Sequence, residues 1–231
     1  LNTIKSLKYV ATIAIALIAA QFVGASAAEA QSDNDFRWIV RGHYIHVWPG
    51  SDTLRVQDPV LIEPPAVNEF YADGGNGFNA EVEYMIMDNV GVWAGYTFAN
   101  MKTNLKIERG TQEAYGDDRV DMGQWNLGGN YHFSPNGRMD LYGGILASWV
   151  NYSSSTINFN QGNINRDVRI EFDSELSLGL NAGIDFPFTS SGNWVVSGAL
   201  RYIFLALEGD DNIYALTIDP LQGYIGVGYR F

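Results

Sequence analysis

The nine residues 223–231, GYIGVGYRF, constrain the fold more than any other stretch. Gly223, Ile225, Val227, Tyr229 and Phe231 alternate with Tyr224, Gly226, Gly228 and Arg230. The first set is mostly apolar. The second is small, polar or charged, apart from the amphipathic Tyr224. A period of two over nine residues marks a β-strand whose faces meet different environments. The sequence ends on an aromatic ring with no turn after it. Two architectures accept such a strand: the last strand of a soluble sandwich, or the closing strand of a barrel whose outer face meets lipid.

Composition favours the second. A chain of 231 residues fits one all-β domain or two small ones. Charged residues make up 17%, below the ~25% usual for soluble domains. Aromatics reach 13% and Gly numbers 25, which suits a sheet facing lipid. There is no Cys, so disulfides and thiolate chemistry are excluded. A net charge of −12 with no basic cluster argues against nucleic acid as a partner.

The first thirty residues read as a targeting segment. Lys5 and Lys8 form a positive start, and the mostly apolar run 9–23 is too short for the ~20 residues of a membrane helix. Small residues follow, giving two cleavage sites, after Ala27 or after Ala30. Residues 1–30 are therefore expected to be a cleaved signal peptide and 31–231 the barrel domain. Losing Lys5, Lys8 and Glu29 leaves the remainder one unit more acidic.

Period-two reading predicts eight strands: 36–48, 77–87, 90–101, 123–133, 139–152, 174–186, 194–206 and about 218–231. In the first, Phe36, Trp38, Val40, Tyr44 and Trp48 oppose Arg37, Ile39, Arg41, His43, Ile45 and Val47. In the second, Asn79, Glu81, Glu83, Met85 and Met87 share a face. The segment 174–186 alternates most cleanly, with Leu176, Leu178, Leu180, Ala182, Ile184 and Phe186 on one side. In 139–152 both parities carry apolar residues, so its phase stays open. Asp88-Asn89 and Ser134-Pro135-Asn136-Gly137 are tight turns. Connections alternate between these short links and long ones at 49–76, 102–122, 153–173 and 207–217, the layout of an outer-membrane barrel.

The expected outward face is almost free of ionisable residues, and its aromatics gather near both ends. Phe36, Tyr84, Phe133, Phe186, Trp194, Tyr229 and Phe231 lie toward the short turns. Trp48, Phe78, Phe98, Tyr202 and Phe204 lie toward the long loops. Two belts are what rings form at two membrane interfaces. The fold expected is an all-β, eight-stranded antiparallel transmembrane barrel, an up-and-down meander.

The terminal strand resembles the closing strand of Gram-negative outer-membrane barrels. That likeness implies recognition by the barrel-assembly machinery through Phe231. The mature chain also resembles the OmpW family of small outer-membrane barrels. The resemblance rests on Ile218-Asp219-Pro220 before Gly226-Val227-Gly228-Tyr229-Arg230-Phe231, and on Trp194-Val195-Val196 leading to Arg201-Tyr202. It rests also on Arg41-Gly42 before Val47 and Pro49, and on the turn 87–92, MDNVGV. It implies an outer-membrane location, with both termini in the periplasm by the even strand count. It also implies uptake of small hydrophobic molecules through a narrow, apolar external funnel.

An eight-stranded interior is just wide enough for side chains or one small ligand. The inward set holds Arg37, Arg41, His43, Glu81, Glu83, His132, Glu175, Asp185, Arg201 and Arg230. Buried charges must be paired, and Arg41 or Arg201 with Glu81 or Glu83 is the expected pair. Such a network either plugs the lumen or forms a polar gate. Toward the long loops the inward residues turn apolar at Ile45, Val47, Met101, Ile203 and Leu205. That pattern predicts either a greasy pocket opening outward above a charged plug or packing beneath folded loops.

Enzymatic chemistry is not expected. His132-Phe133-Ser134 is similar to the His-x-Ser pairing of an outer-membrane lipid A deacylase, but Ser134 falls in a short turn. His43 and His46 point to opposite faces. No metal set or cofactor is expected, and Asp73-Gly74-Gly75-Asn76-Gly77 offers too few oxygens for calcium. Acidic loop residues such as Asp117, Asp118 and Asp121 are solvated, or share divalent cations with lipopolysaccharide. Expected partners are outer-membrane lipids, lipopolysaccharide and small hydrophobic solutes. The alternative is a structural or adhesive barrel whose loops contact other partners without transport.

Overall fold

The computed structural model describes residues 36–50, 54–58, 66–109, 112–135, 138–161, 164–170, 174–204, 206–208, 215–217 and 219–231. The targeting segment and Leu205 lie outside them. In chain order the strands are β1 (Trp38–Trp48), β2 (Leu54–Asp58), β3 (Ala66–Met87), β4 (Val90–Arg109), β5 (Gln112–His132), β6 (Asp140–Tyr152) and β7 (Ser155–Gln161). They continue with β8 (Ile164–Ile170), β9 (Glu175–Pro187), β10 (Trp194–Phe204), β11 (Ala206–Glu208), β12 (Ala215–Thr217) and β13 (Leu221–Arg230).

Eight of these strands close on themselves. β1, β3, β4, β5, β6, β9, β10 and β13 each pair with the next in antiparallel order, and β13 returns to β1. Closure leaves the eight-stranded ring without an edge strand, which is the condition for a sheet in hydrocarbon. β2 adds to the upper part of β3, while β7–β8 and β11–β12 are small separate hairpins. Following direct partners once around, Trp38 leads to Tyr84, Val92, Gly129, Ile145, Leu180, Tyr202, Leu221 and finally Trp48. The circuit returns ten residues further along β1. With ~3.3 Å per residue and ~4.8 Å between strands, that stagger tilts the strands by about 41° and gives a backbone radius of about 8 Å.

Glycine makes the closing seam possible. A Cβ on Gly226 would stand 1.9 Å from the Gly42 carbonyl oxygen. Only a residue without a side chain lets β13 approach β1 so closely.

The outer wall is apolar. Leu176, Leu178, Ile145, Leu127, Ile225 and Leu200 are all exposed outward. Among the described residues no charged one faces outward between the belts of Phe133, Phe186 and Trp194 at one end and Trp48, Phe78 and Phe204 at the other. No helix among the described residues is long and apolar enough to cross a membrane; the apolar wall is built from strands.

The strands differ from the expected ones in length and at one point in phase. Residues 66–76 and 102–109 and 112–122, expected as loops, continue β3, β4 and β5 as paired strands. The backbone ladder needs no lipid. Where the wall leaves the apolar band neither face must be hydrophobic, so the period-two signal fades while pairing persists. Met85 points inward, but Met87 is 65% exposed rather than on the same face, because the β3–β4 ladder slips by one residue between them.

Candidate functional site

The inward side chains stack in three layers, set by where each strand's inward residues fall under the stagger described above. Nearest the short turns lies an ion-pair network. Arg41 on β1 donates Nη1 to Glu83 at 2.7 Å and to Glu81 at 3.2 Å, both on β3. Across the barrel its Nη2 and Nε reach Asp185 Oδ2 on β9 at 2.7 and 3.1 Å. Arg201 Nη2 on β10 donates to the other Glu81 oxygen, and its Nε donates to Asn181 at 3.1 Å. Arg230 on β13 reaches Asp140 at 3.3 Å, Asp185 at 3.5 Å and the Pro135 carbonyl at 3.1 Å. Asn130 donates to Glu83 at 2.9 Å and Asn181 donates to Asn130 at 2.9 Å.

His132 completes the network. Its Nδ1 lies 2.9 Å from Asp140 and its Nε2 lies 3.1 Å from Glu83. Only the imidazolium can donate from both nitrogens. With it the plug holds four positive groups, Arg41, Arg201, Arg230 and His132, against Glu81, Glu83, Asp140 and Asp185. Every one of these side chains is at least 97% buried. Aromatic faces lie against two of the cations. The Arg201 guanidinium sits between Trp93 at 4.2 Å and Tyr224 at 4.3 Å, and Arg41 lies 5.1 Å from the Tyr142 ring.

The middle layer is polar and largely uncharged. His43 bonds Asn79 at 3.0 Å and Ser197 at 3.1 Å, and Asn79 donates to Thr97 at 3.0 Å. Gln222 donates to Gln124, which donates to Asn126, each at 2.7 Å, and Tyr224 donates to Gln222. The upper layer is apolar. Ile45, Val47 and Ile203 expose nothing, and Val120, Met122, Val150 and Met101 expose 4% or less.

The expected residues thus divide into groups. Arg41, Glu81, Glu83, Asp185, Arg201 and Arg230 meet in one network. His43 belongs to the layer above it. Arg37 does not join the plug; it is exposed at the short-turn end, one step below Ile39. Glu175 lies half-buried at the far end of β9, away from the plug. Ile45, Val47 and Ile203 are fully buried and lie together in the apolar layer. Asp140, Tyr142 and Trp93 were not anticipated. The first two ride on β6, whose phase the sequence leaves open.

Ser134 is exposed in its turn while both His132 nitrogens face carboxylates. The two residues therefore form no nucleophile–base pair. Among the described residues no cluster of His, Asp and Glu is arranged to hold a metal.

A family model for an outer membrane protein β-barrel domain matches residues 15–231. The structure of the outer membrane protein OprG from Pseudomonas aeruginosa superposes with a TM-score of 0.61 at 16% identity, covering 85% of this chain and 96% of that one. The outer membrane protein AlkL in DMPC bilayers superposes with a TM-score of 0.50 at 15% identity, covering 88% and 93%. At such identities the likeness is one of fold. No curated protein matches the sequence.

Proposed function

This chain is a member of the outer membrane protein β-barrel domain family, and from that premise we propose that it is an OmpW-like barrel for passive uptake or binding of small hydrophobic molecules. The observation that carries the reading is the order of the layers. A dry apolar section at Ile45, Val47, Met101, Met122 and Ile203 sits toward the long loops, directly above polar and charged layers. An apolar solute gains by entering the first and would lose by displacing the second.

The mechanism follows from that order. Solute enters among the long connections, which face outward from the cell while both termini face the periplasm. It displaces the packing of Met101 and Met122, whose unbranched side chains adapt most readily. The plug around Arg41 stops it, and it leaves sideways into the bilayer. Lipids and lipopolysaccharide surround the wall, and the terminal strand with Phe231 serves the assembly machinery.

Reconstituted barrel should speed entry of an apolar solute into vesicles while passing little ion current in planar bilayers. Ile45→Asp should lower the uptake rate roughly a hundredfold, since desolvating a carboxylate in that layer would add about 3 kcal/mol to the barrier to solute entry. Ion conductance without solute uptake, or uptake equal to protein-free vesicles, would defeat the reading.

A second reading has its own support. β3, β4 and β5 continue as a paired wall beyond the upper aromatic belt. Such a wall suits contact with lipopolysaccharide or another surface partner. Removing residues 104–117, which trims β4 and β5 above the upper layer, would then abolish binding and leave permeability unchanged.

A further inference from the structure

Just above the upper aromatic belt the outward face of β4 and β5 changes from rings to charges. Phe98 and Trp125 belong to the lipid-facing wall, and Tyr96 packs on Trp125 with ring centroids 4.7 Å apart. Tyr96 also lies across Gly123, where a Cβ would stand 2.7 Å from its hydroxyl oxygen. The next outward residues are Asn100 and Lys102 on β4 and Asp121, Arg119 and Asp117 on β5. Lys102 stands four residues beyond Phe98 on β4, about 10 Å higher along the barrel axis at the tilt given above. That is the level of lipid headgroups, directly over the acyl chains that cover the belt. Lys102 and Arg119 are direct partners on neighbouring strands. Like charges so placed repel, and an anionic group set between them relieves the repulsion. Lys102 reaches Asp117 at 3.4 Å, with the two side chains 49% and 65% exposed. Arg119 has no ion pair or hydrogen bond among the described residues. Asp121, by contrast, is held in place. Asn100 Nδ2 donates to its Oδ1 at 2.8 Å, and its backbone N–H and carbonyl bond Ser153 Oγ and N–H, each at 2.9 Å. Its Oδ2 bonds none of the described residues. Asp117 and Asp121 therefore flank Arg119 two residues to either side along β5.

We propose that this strip binds the phosphoethanolamine headgroup of a lipid in the leaflet at the long-loop end. The phosphate sits between Lys102 and Arg119, and the headgroup lies along the wall so that its primary ammonium donates to Asp121 Oδ2. The acyl chains run down over Phe98 and Trp125, and the Tyr96 hydroxyl meets the ester region above Gly123. Alternating charge on the wall matches alternating charge on the lipid. A plain anionic headgroup would meet Asp117 and Asp121 as like charges, and a choline headgroup has no N–H to donate. The proposal rests on the reading of the extended wall as a surface for lipid contact and names the headgroup that the wall selects. It is independent of solute uptake, since every residue in it faces away from the lumen.

Native mass spectrometry of the full barrel tests it, with nanodiscs that hold phosphatidylethanolamine, phosphatidylcholine and phosphatidylglycerol in equal parts on identical chains. Phosphatidylethanolamine should stay bound about fivefold more than either of the others, the scale of one exposed ion pair with its hydrogen bonds. N,N-dimethylphosphatidylethanolamine keeps one N–H and should be retained nearly as well, so the loss falls at the third methyl group. Asp121→Asn should level phosphatidylethanolamine with phosphatidylcholine. Lys102→Gln together with Arg119→Gln should lower retention of all three lipids. These substitutions lie above the lipid-facing band, and the variants should migrate as folded barrels. Retention led by phosphatidylglycerol would show a plain cation site, and equal retention of all three would show a solvated surface. Either result overturns the proposal, as does a phosphatidylethanolamine preference that survives Asp121→Asn. Loss of lipopolysaccharide binding on removing 104–117, with no phosphatidylethanolamine preference in the full barrel, would leave the reading of the wall as a contact surface standing and overturn this proposal alone.

Discussion

Arg41→Ala is expected to destabilise the barrel by about 3–5 kcal/mol, the cost of removing one partner from a buried ionic network. Arg41 is the single cation shared by Glu81, Glu83 and Asp185, at 3.2, 2.7 and 2.7 Å. Glu81 would keep Arg201, and Glu83 would keep His132 and Asn130. Asp185 would keep a hydrogen bond with Ser197 and a 3.5 Å contact with Arg230 as its one remaining cation. The plug would be left with one uncompensated negative charge in a space that water does not reach. Arg41→Lys should recover only part of the loss. A lysine restores charge but not the planar fork that spans β3 and β9 at once. Pairing Arg41→Met with Asp185→Leu should recover more, because it removes an anion together with the cation. The measurement is the urea midpoint for unfolding from phospholipid vesicles. A loss below about 1 kcal/mol for Arg41→Ala would show that the network contributes little and that the interior readmits water easily.

The outer wall gives the second large effect. Ile145 stands midway along β6, 69% exposed and far from both aromatic belts. Ile145→Arg should cost about 2–4 kcal/mol in a bilayer, the depth-dependent cost of a cation on the lipid face. Tyr115 is also exposed, on the part of β5 that extends past the upper belt. Tyr115→Arg should cost no more than about 1 kcal/mol. Equal costs at the two sites would mean that the middle of the wall does not face hydrocarbon, and the membrane assignment of that band would fail.

Much of the wall was legible in the sequence because lipid enforces a rule at every second residue. β9 alternates Leu176, Leu178 and Leu180 against Ser177, Gly179 and Asn181, and its bounds follow within a residue. β6 escaped the rule. Tyr142, Leu146 and Val150 face inward while Leu141, Ile145 and Trp149 face lipid, so both parities are apolar and Asp140 passed unnoticed. The wall beyond the belts escaped it too, since residues 102–109 pair in full without needing an apolar face. The charged residues of the plug were readable one by one, but their partners were not. Whether Arg41 meets Asp185 across the lumen depends on the stagger of all eight strands, and no short segment encodes that. The state of the upper layer depended on side-chain volume. The sequence marked Ile45, Val47 and Ile203 as apolar, but their complete burial together with Met101 and Met122 appears only in three dimensions.

The first and last strands also exchange backbone bonds at their tips. Arg37 and Trp38 donate to the Phe231 carbonyl at 3.1 and 2.9 Å, and Phe231 donates back to Trp38 at 2.9 Å. All eight seams of the wall are therefore equivalent neighbours in a ring, and the place where translation starts is topologically arbitrary. A circular permutant whose old ends are joined by a short linker and whose new ends open at Asp88-Asn89 should assemble into the same cylinder and resist denaturant nearly as well. Failure to fold would mean that the order in which the strands emerge, and not the finished ring alone, directs assembly.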